Sequence, residues 1–197
     1  MRSTTTLPTA FLYTRIDSSL GELLLTSLGY ELTGVYFTDQ PHAPEIGFNW
    51  KDQPDAAIFI RTARQLDEYA SGKRKKFDLA TGFRGTPFQL QVWKEIATIP
   101  FGETRTYSDL AERVGSPHAV RAVGAATGAN PLSIIVPCHR VVGKDGSLTG
   151  YAGGMGRKTA LLDFETGKAH SLLNGASHHP SELAVDYSHS IRPSSSL

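Results

Sequence analysis

Residues 106–128, TYSDLAERVGSPHAVRAVGAATG, are typical of two short helices joined by a tight turn. Thr106 and Asp109 can cap the first helix, and Gly115 can end it in the left-handed conformation. Ser116-Pro117 then predicts the N-cap and first position of the second helix. This helix-turn-helix pattern is common in proteins that read DNA, and it is also a frequent core element. The stretch alone therefore leaves both interpretations open.

The second helix of this pair consists largely of small residues, which would let it approach another surface closely. They are Ala119, Ala122, Gly124, Ala125 and Ala126.

A third helix is predicted just upstream, at Thr86-Pro87-Phe88-Gln89. Thr86 suits the N-cap, Pro87 the first helical position, and Gln89 the capping-box position. Apolar residues at helical spacing follow, and Pro100 ends the pattern. The apolar face belongs to the core: Phe88, Val92, Ile96 and Ile99.

The amino-terminal part has a different pattern. Residues 11–37 alternate as strands do, and Gly29-Tyr30 predicts a hairpin turn. Residues 56–71 have helical spacing, and a break follows at Thr81-Gly82. The basic run Lys73 to Lys76 fits a solvated helix end better than a DNA contact.

Composition limits the classes of protein to consider. The chain has 197 residues, 40% of them apolar, and a net charge of +1, which suits one ordinary domain or two small ones. Residues 81–168 carry 10 Lys+Arg against 7 Asp+Glu, a mildly basic balance that permits a DNA partner. No apolar run reaches the ~20 residues of a membrane span, and no secretory signal is evident, so we expect a cytoplasmic protein.

The single cysteine is the strongest candidate for chemistry. The apolar run Ile134-Ile135-Val136 predicts a strand that stops at Pro137, and Cys138-His139-Arg140 follows directly. A thiol of pKa about 8.5 needs a base or positive surroundings to act as a nucleophile, and His139 and Arg140 could supply both. A lone cysteine is also often a small buried hydrophobe. With one cysteine, an internal disulfide is impossible and a cysteine-based zinc site is not expected.

Residues 83–165 resemble the catalytic domain of the O6-alkylguanine-DNA alkyltransferases. The resemblance rests on three stretches in the family's order: TPFQLQVWKEIATIPFGETRTYSDLA, RAVGAATGANPLSIIVPCHRVV and GYAGGMGRKTALLDFE. The run from Pro137 to Val141, with Asn130-Pro131 upstream, is the most specific part. The amino-terminal portion matches only in its strand pattern.

The resemblance implies four catalytic roles. Cys138 would accept the alkyl group, and His139 would take its proton through a water. Glu165 would orient the imidazole. Asn130 would tie the active-site turn to the helix-turn-helix.

It also implies how the substrate is held. Arg121 would fill the space of a flipped-out nucleotide while its helix lies in the minor groove, and Tyr107 would hydrogen-bond the guanine ring. The further DNA contacts implied are Ala119, Ala122, Gly124, Ala125 and Arg140. The pocket would be walled by Val141, Tyr151, Ala152 and Gly153.

The implied fold is α+β with two domains. Residues 1–80 would form a ribonuclease H-like domain with a small antiparallel sheet, and residues 81–168 a mainly helical DNA-binding domain. Residues 169–197 resemble a disordered tail by composition, and its His178-His179 pair fits solvent exposure better than a metal.

The implied function is direct repair of alkylated double-stranded DNA. The alkyl group of O6-alkylguanine, and less well that of O4-alkylthymine, would move irreversibly onto Cys138 in one turnover. We expect no cofactor, no metal and a monomer; whether several copies bind cooperatively on DNA stays open. The small Ala152 would suit alkyl groups larger than methyl.

Three other classes of protein fit the sequence less well. Alkyltransferase-like binding modules lack the acceptor cysteine, which this chain has. A tyrosine phosphatase would need Arg at position 144, where Lys144 stands, and a papain-type site would need different flanking residues. A transcriptional regulator would leave the thiol motif unexplained.

Overall fold

The computed structural model describes residues 10–41, 43–169 and 172. The amino-terminal part is a four-stranded sheet of order β3-β2-β1-β4 with one helix, α1, beside it. β1–β2 and β2–β3 are antiparallel, and β4 joins β1 in parallel. The bounds are β1 Phe11–Ser18, β2 Gly21–Leu28, β3 Glu31–Phe37, β4 Lys51–Asp52 and α1 Ala57–Ala70.

The hairpin predicted at Gly29-Tyr30 joins β2 to β3, and Gly29 takes a φ of 61° there. A side chain with a Cβ is strained at such angles, so glycine suits the turn. One face of β2 and β3 is fully buried, with Leu23, Leu25 and Val35 at 0% exposure.

The carboxyl-terminal part is mainly helical. Its elements are α2 Pro87–Ala97, β5 Arg105–Thr106, α3 Tyr107–Arg113, α4 Val120–Gly128, a 3-10 turn Cys138–Arg140, β6 Val141–Val142 and α5 Met155–Glu165. β5 and β6 pair in parallel. Together with the sheet, these helices confirm the predicted α+β class.

The predicted capping box at Thr86 is present, and the predicted capping by Thr106 and Asp109 also takes the form of a capping box. The Thr86 hydroxyl accepts from the Gln89 amide at the start of α2, and Thr106 accepts from Asp109 at the start of α3. Gly115 has the expected left-handed φ of 70°.

The predicted start of α4 at Ser116-Pro117 is wrong. The Ala119 amide donates to the Ser116 carbonyl at 2.8 Å, which closes a separate turn, and α4 begins only at Val120. The N-cap position falls to Ala119, whose side chain cannot accept a hydrogen bond.

The predicted strand at Ile134-Ile135-Val136 is also wrong. This segment is a tight turn in which Ile134 has a φ of 70°, rare for a β-branched residue. It is apolar because it is buried where the two parts of the chain meet. Just before it, the Val35 amide of β3 donates to the Pro131 carbonyl at 2.8 Å.

The core is continuous across both parts. Phe37 of β3, Trp93 and Ile96 of α2, Val123 of α4 and Leu161 of α5 belong to one buried cluster. Inside it the Trp93 indole donates to the Ala126 carbonyl at 2.7 Å, so α2 holds α4 in place.

The predicted tail lies largely outside the described residues, including His178-His179. Within the described part, Ala169 packs against the core and Leu172 is buried. None of the helices that the structure describes is long and apolar enough to cross a membrane.

Replacing Thr86 by Ala should lower the free energy of unfolding by about 1 kcal/mol, because the Gln89 amide loses its acceptor. Urea denaturation measures the change. Thr159→Ala, at an exposed position inside α5, is the matched control and should stay within about 0.5 kcal/mol of wild type. Equal losses in the two variants would contradict the cap's contribution.

Candidate active site

Cys138 begins the 3-10 turn and is buried, with 4% of its surface exposed. The Asn130 side-chain amide donates to its Sγ at 3.1 Å and to the Val136 carbonyl at 2.9 Å. The Asn130 carbonyl oxygen accepts from the Leu132 amide at 3.1 Å. One side chain therefore bonds both the turn and the thiol.

Burial raises the pKa of the Cys138 thiol, and the Asn130 hydrogen bond and the Lys158 charge oppose that rise only in part. The resting sulfur is therefore a neutral thiol, which needs a base before it can attack.

His139 is fully buried next to this thiol in sequence, and its Nε2 lies 3.0 Å from Oε1 of Glu165. Because a carboxylate only accepts, Nε2 carries the proton and Nδ1 is the acceptor of the neutral ring. Nδ1 has no hydrogen-bond partner among the described residues. Burial lowers the pKa of His139, while Glu165 raises it, and the net shift is downward. The imidazole is thus neutral and has a free site for a proton.

Glu165, the last residue of α5, is buried and accepts from four residues. Arg140 donates twice, Nε to Oε2 and Nη2 to Oε1, both at 2.8 Å. The Tyr69 hydroxyl donates to Oε1 at 2.6 Å, and the Gly102 amide to Oε2 at 3.3 Å. Burial raises the pKa of Glu165, but the hydrogen bonds from His139 and Arg140 outweigh it and lower the pKa to about 2. The carboxylate is ionised at neutral pH.

Arg140 does not lie where a DNA contact would place it. Its guanidinium is buried, and besides Glu165 it bonds the Ile99 carbonyl through Nη1 at 2.6 Å. The expectation that Arg140 contacts DNA is therefore corrected. Its charge balances the buried carboxylate of Glu165. The sequence motif alone did not distinguish an arginine that contacts DNA from one that pairs with a buried carboxylate.

Lys158 was missed by the sequence analysis. This fully buried side chain donates from Nζ to the carbonyls of Val141 and Thr149, both at 2.6 Å. Its helical spacing relative to Leu161, Leu162 and Glu165 puts it on the buried face of α5. A lysine at a core position of the helical pattern was the signal in the sequence that could have identified it.

Tyr69 was missed as well. It lies on α1, 96 residues before Glu165, and no local pattern connects the two. Its helical spacing predicted only a core position.

Of the expected pocket residues, Tyr151 lies beside the 3-10 turn and Val141 directly follows it. The Tyr151 ring centre lies 6.3 Å from that of His139 and 6.4 Å from that of Phe37. Its buried hydroxyl has no partner within the described ranges. A Cβ at Gly153 would come within 2.6 Å of the Phe37 ring, so this loop position requires glycine. Ala152, which lies between Tyr151 and Gly153 in the sequence, is half-buried. Val141 follows Arg140 and begins β6.

The expected DNA-contacting residues other than Arg140 lie on α4 or at its N-cap. Arg121, Ala122 and Ala125 are exposed, while Ala119 and Gly124 are half-buried. Tyr107, at the start of α3, packs its ring beside Gly124, where a Cβ would meet it at 4.0 Å. This brings Tyr107 and the small-residue face of α4 together.

Family models match most of the chain. The model described as 6-O-methylguanine DNA methyltransferase, DNA binding domain, matches residues 87–167, and the ribonuclease-like domain of the same family matches residues 11–83. The chain belongs to the 6-O-methylguanine DNA methyltransferase family. The expected membership and the ribonuclease-like character of the first domain are thereby confirmed.

Two curated relatives of this chain align over nearly their whole length. The methylated-DNA–protein-cysteine methyltransferase of Mycobacterium tuberculosis is 46% identical over 157 residues, covering 80% of this chain and 93% of the relative. That of Methanosarcina barkeri is 45% identical over 153 residues, covering 78% and 96%. The crystal structure of Mycobacterium tuberculosis OGT in complex with DNA is similar with a TM-score of 0.75 and 45% identity, covering 82% of this chain and 97% of that one.

The buried Glu165 gives a pH-dependent prediction. Its pKa is lower in the folded chain than the ordinary 4.5, so its contribution to stability is present above pH 4.5 and is lost as the pH falls toward 2. The shift corresponds to about 3 kcal/mol. Glu165→Gln should therefore be less stable than wild type at pH 7, and the gap should close between pH 4.5 and 2. Urea denaturation across this range measures it; a gap that does not change with pH would contradict the assignment.

Proposed function

We propose that this protein repairs alkylated DNA by moving the alkyl group from O6 of guanine onto its own Cys138. The observation that carries the proposal is the ordered set of contacts at the site. A thiol held by Asn130 precedes a neutral imidazole whose far nitrogen is bound to an ionised carboxylate. In a member of this family, such an arrangement suits activation of a thiol for attack on carbon.

In the proposed step the Sγ–C bond forms as the C–O6 bond breaks. The thiol proton passes through a water to Nδ1 of His139, and Glu165 stabilises the imidazolium that results. The guanine leaves as an anion with the bonding electron pair and takes up, through water, the proton that His139 then releases, so the charges balance. Tyr107 donates a hydrogen bond to the ring and makes guanine a better leaving group.

The thioether product defines the stoichiometry. Acid–base groups such as those around Cys138 do not cleave a C–S bond, so each chain would act once. O4-alkylthymine would react by the same displacement, but less well. The reaction needs no cofactor.

A base stacked in a duplex cannot reach a buried thiol, so the nucleotide would rotate out of the helix. The outer face of α4 would lie in the minor groove, where its small residues allow close approach, and Arg121 would occupy the vacated space. The flipped base would rest against Tyr151, with backbone groups of Val141, Ala152 and Gly153 at its edge. We further propose that the protein acts as a monomer in the cytoplasm, where the thiol stays reduced.

Incubation with a duplex holding one O6-methylguanine should add the mass of one methyl group per chain. Intact-mass measurement and peptide mapping should place it on the peptide that contains Cys138. Cys138→Ala is the control and should bind the duplex without gaining mass. A wild-type chain that binds the damaged duplex but gains no methyl group would instead indicate a damage-recognition module.

Arg121→Ala should slow alkyl transfer from duplex DNA about tenfold, since unstacking a base costs a few kcal/mol and the arginine offsets part of it. Transfer from the free base O6-benzylguanine needs no rotation and should keep its rate. Arg61→Ala, an exposed arginine on α1, is the matched control and should change neither rate. If Arg121→Ala slowed both substrates equally, the flipping role would be excluded.

A further inference from the structure

Tyr69 links the first domain to the catalytic carboxylate. It lies in the last turn of α1, is fully buried, and donates its hydroxyl to Oε1 of Glu165 at 2.6 Å. Its ring is fixed by three aromatic neighbours at centroid distances of 5.5, 6.0 and 5.6 Å: Phe77, Phe101 and Phe164. The hydroxyl is therefore held in one place.

The same carboxylate oxygen serves the imidazole. Oε1 accepts from Tyr69 at 2.6 Å, from Arg140 Nη2 at 2.8 Å and from His139 Nε2 at 3.0 Å. Each donor withdraws charge from the oxygen, and the tyrosine hydroxyl oxygen is the closest of the three donor atoms. The hydroxyl thus competes with the imidazole for one oxygen.

We propose that Tyr69 is a positioning residue of the alkyl transfer, whose hydroxyl fixes Oε1 of Glu165 and limits the basicity that this oxygen confers on His139. The effect on the reaction rests on the proposed function; the effect on the imidazole does not.

A limit is needed because His139 must be neutral to receive the thiol proton. A carboxylate with its full charge on Oε1 would favour the imidazolium and occupy Nδ1 with a proton in the resting state. Burial and the charges of Arg140 and Lys158 also lower the pKa of His139, and Glu165 alone raises it. The other titratable groups facing this ring are Cys138 and Tyr151, both neutral because burial raises their pKa. Tyr69 therefore weakens the effect of the Glu165–His139 contact, which is the one that favours the charged ring.

Tyr69→Phe tests this, because it removes one hydroxyl and keeps the ring. We expect the titration midpoint of His139, followed by NMR of histidine-labelled full-length protein, to move up by about one pH unit. The acid limb of the rate–pH profile for transfer from O6-benzylguanine should move the same way. Tyr36→Phe makes the same change on β3 and is the matched control. Because Tyr36 makes no hydrogen bond to the site, this variant should leave the His139 midpoint and the rate–pH profile unchanged.

A second variant tests the opposite sign. Fluorotyrosine incorporated at position 69 keeps the hydroxyl and makes it a stronger donor, so the His139 midpoint should fall. An unmoved midpoint in both variants, with only a loss of stability in urea, would show a purely structural residue and overturn the proposal. A wild-type chain that transfers no alkyl group would reject the proposed function, while the NMR titration would still decide the role of Tyr69.

Discussion

The buried carboxylate of Glu165 is the interaction on which the rest of the site depends. It ends α5 and receives hydrogen bonds from α1, from the loop after α2 and from the 3-10 turn of the nucleophile. An isolated buried carboxylate would be protonated, and only several donors keep it ionised. The contacts that hold the two domains together are therefore partly the contacts that orient His139. Under the proposed mechanism, the first domain, which carries no reacting group, would be coupled to the chemistry through Tyr69.

The turn that presents the thiol depends on a similar convergence. Ile134 has a left-handed φ of 70°, a conformation that costs about 1–3 kcal/mol and persists only where its surroundings enforce it. Asn130 supplies that constraint, since its amide bonds Val136 and Cys138 on the far side of the turn. The strained backbone and the position of the sulfur thus have one cause. Loosening Asn130 would release both.

What the sequence could predict was local. The hairpin at Gly29-Tyr30 and the capping boxes at Thr86 and Thr106 depend on residues a few positions apart, and the structure contains all three. The start of α4 and the turn at Ile134 depend on tertiary packing. An apolar run such as residues 134–136 has the same pattern whether it forms a buried turn or a buried strand. The family motif identified Cys138, His139 and Glu165 as candidates, and the structure brings the last two into contact. It gave Arg140 the wrong partner, because adjacency to a nucleophile does not reveal which way a guanidinium points.

The two buried cations of the site, Arg140 and Lys158, act on different groups. Arg140 bonds Glu165, whereas the charge of Lys158 opposes in part the burial that raises the pKa of Cys138. In the proposed transfer of a proton from Sγ to His139, the thiolate would form within the influence of the Lys158 charge and the imidazolium beside the Glu165 carboxylate. Both charges of the reactive state therefore meet opposite charges that are already in place, so little reorganisation is needed. In the resting state the thiol and the imidazole are neutral, so the charges of Lys158 and Glu165 do not stabilise it in this way. In the proposed mechanism such a site stabilises the ion pair selectively, so that burial can keep the thiol protonated at rest without preventing its activation.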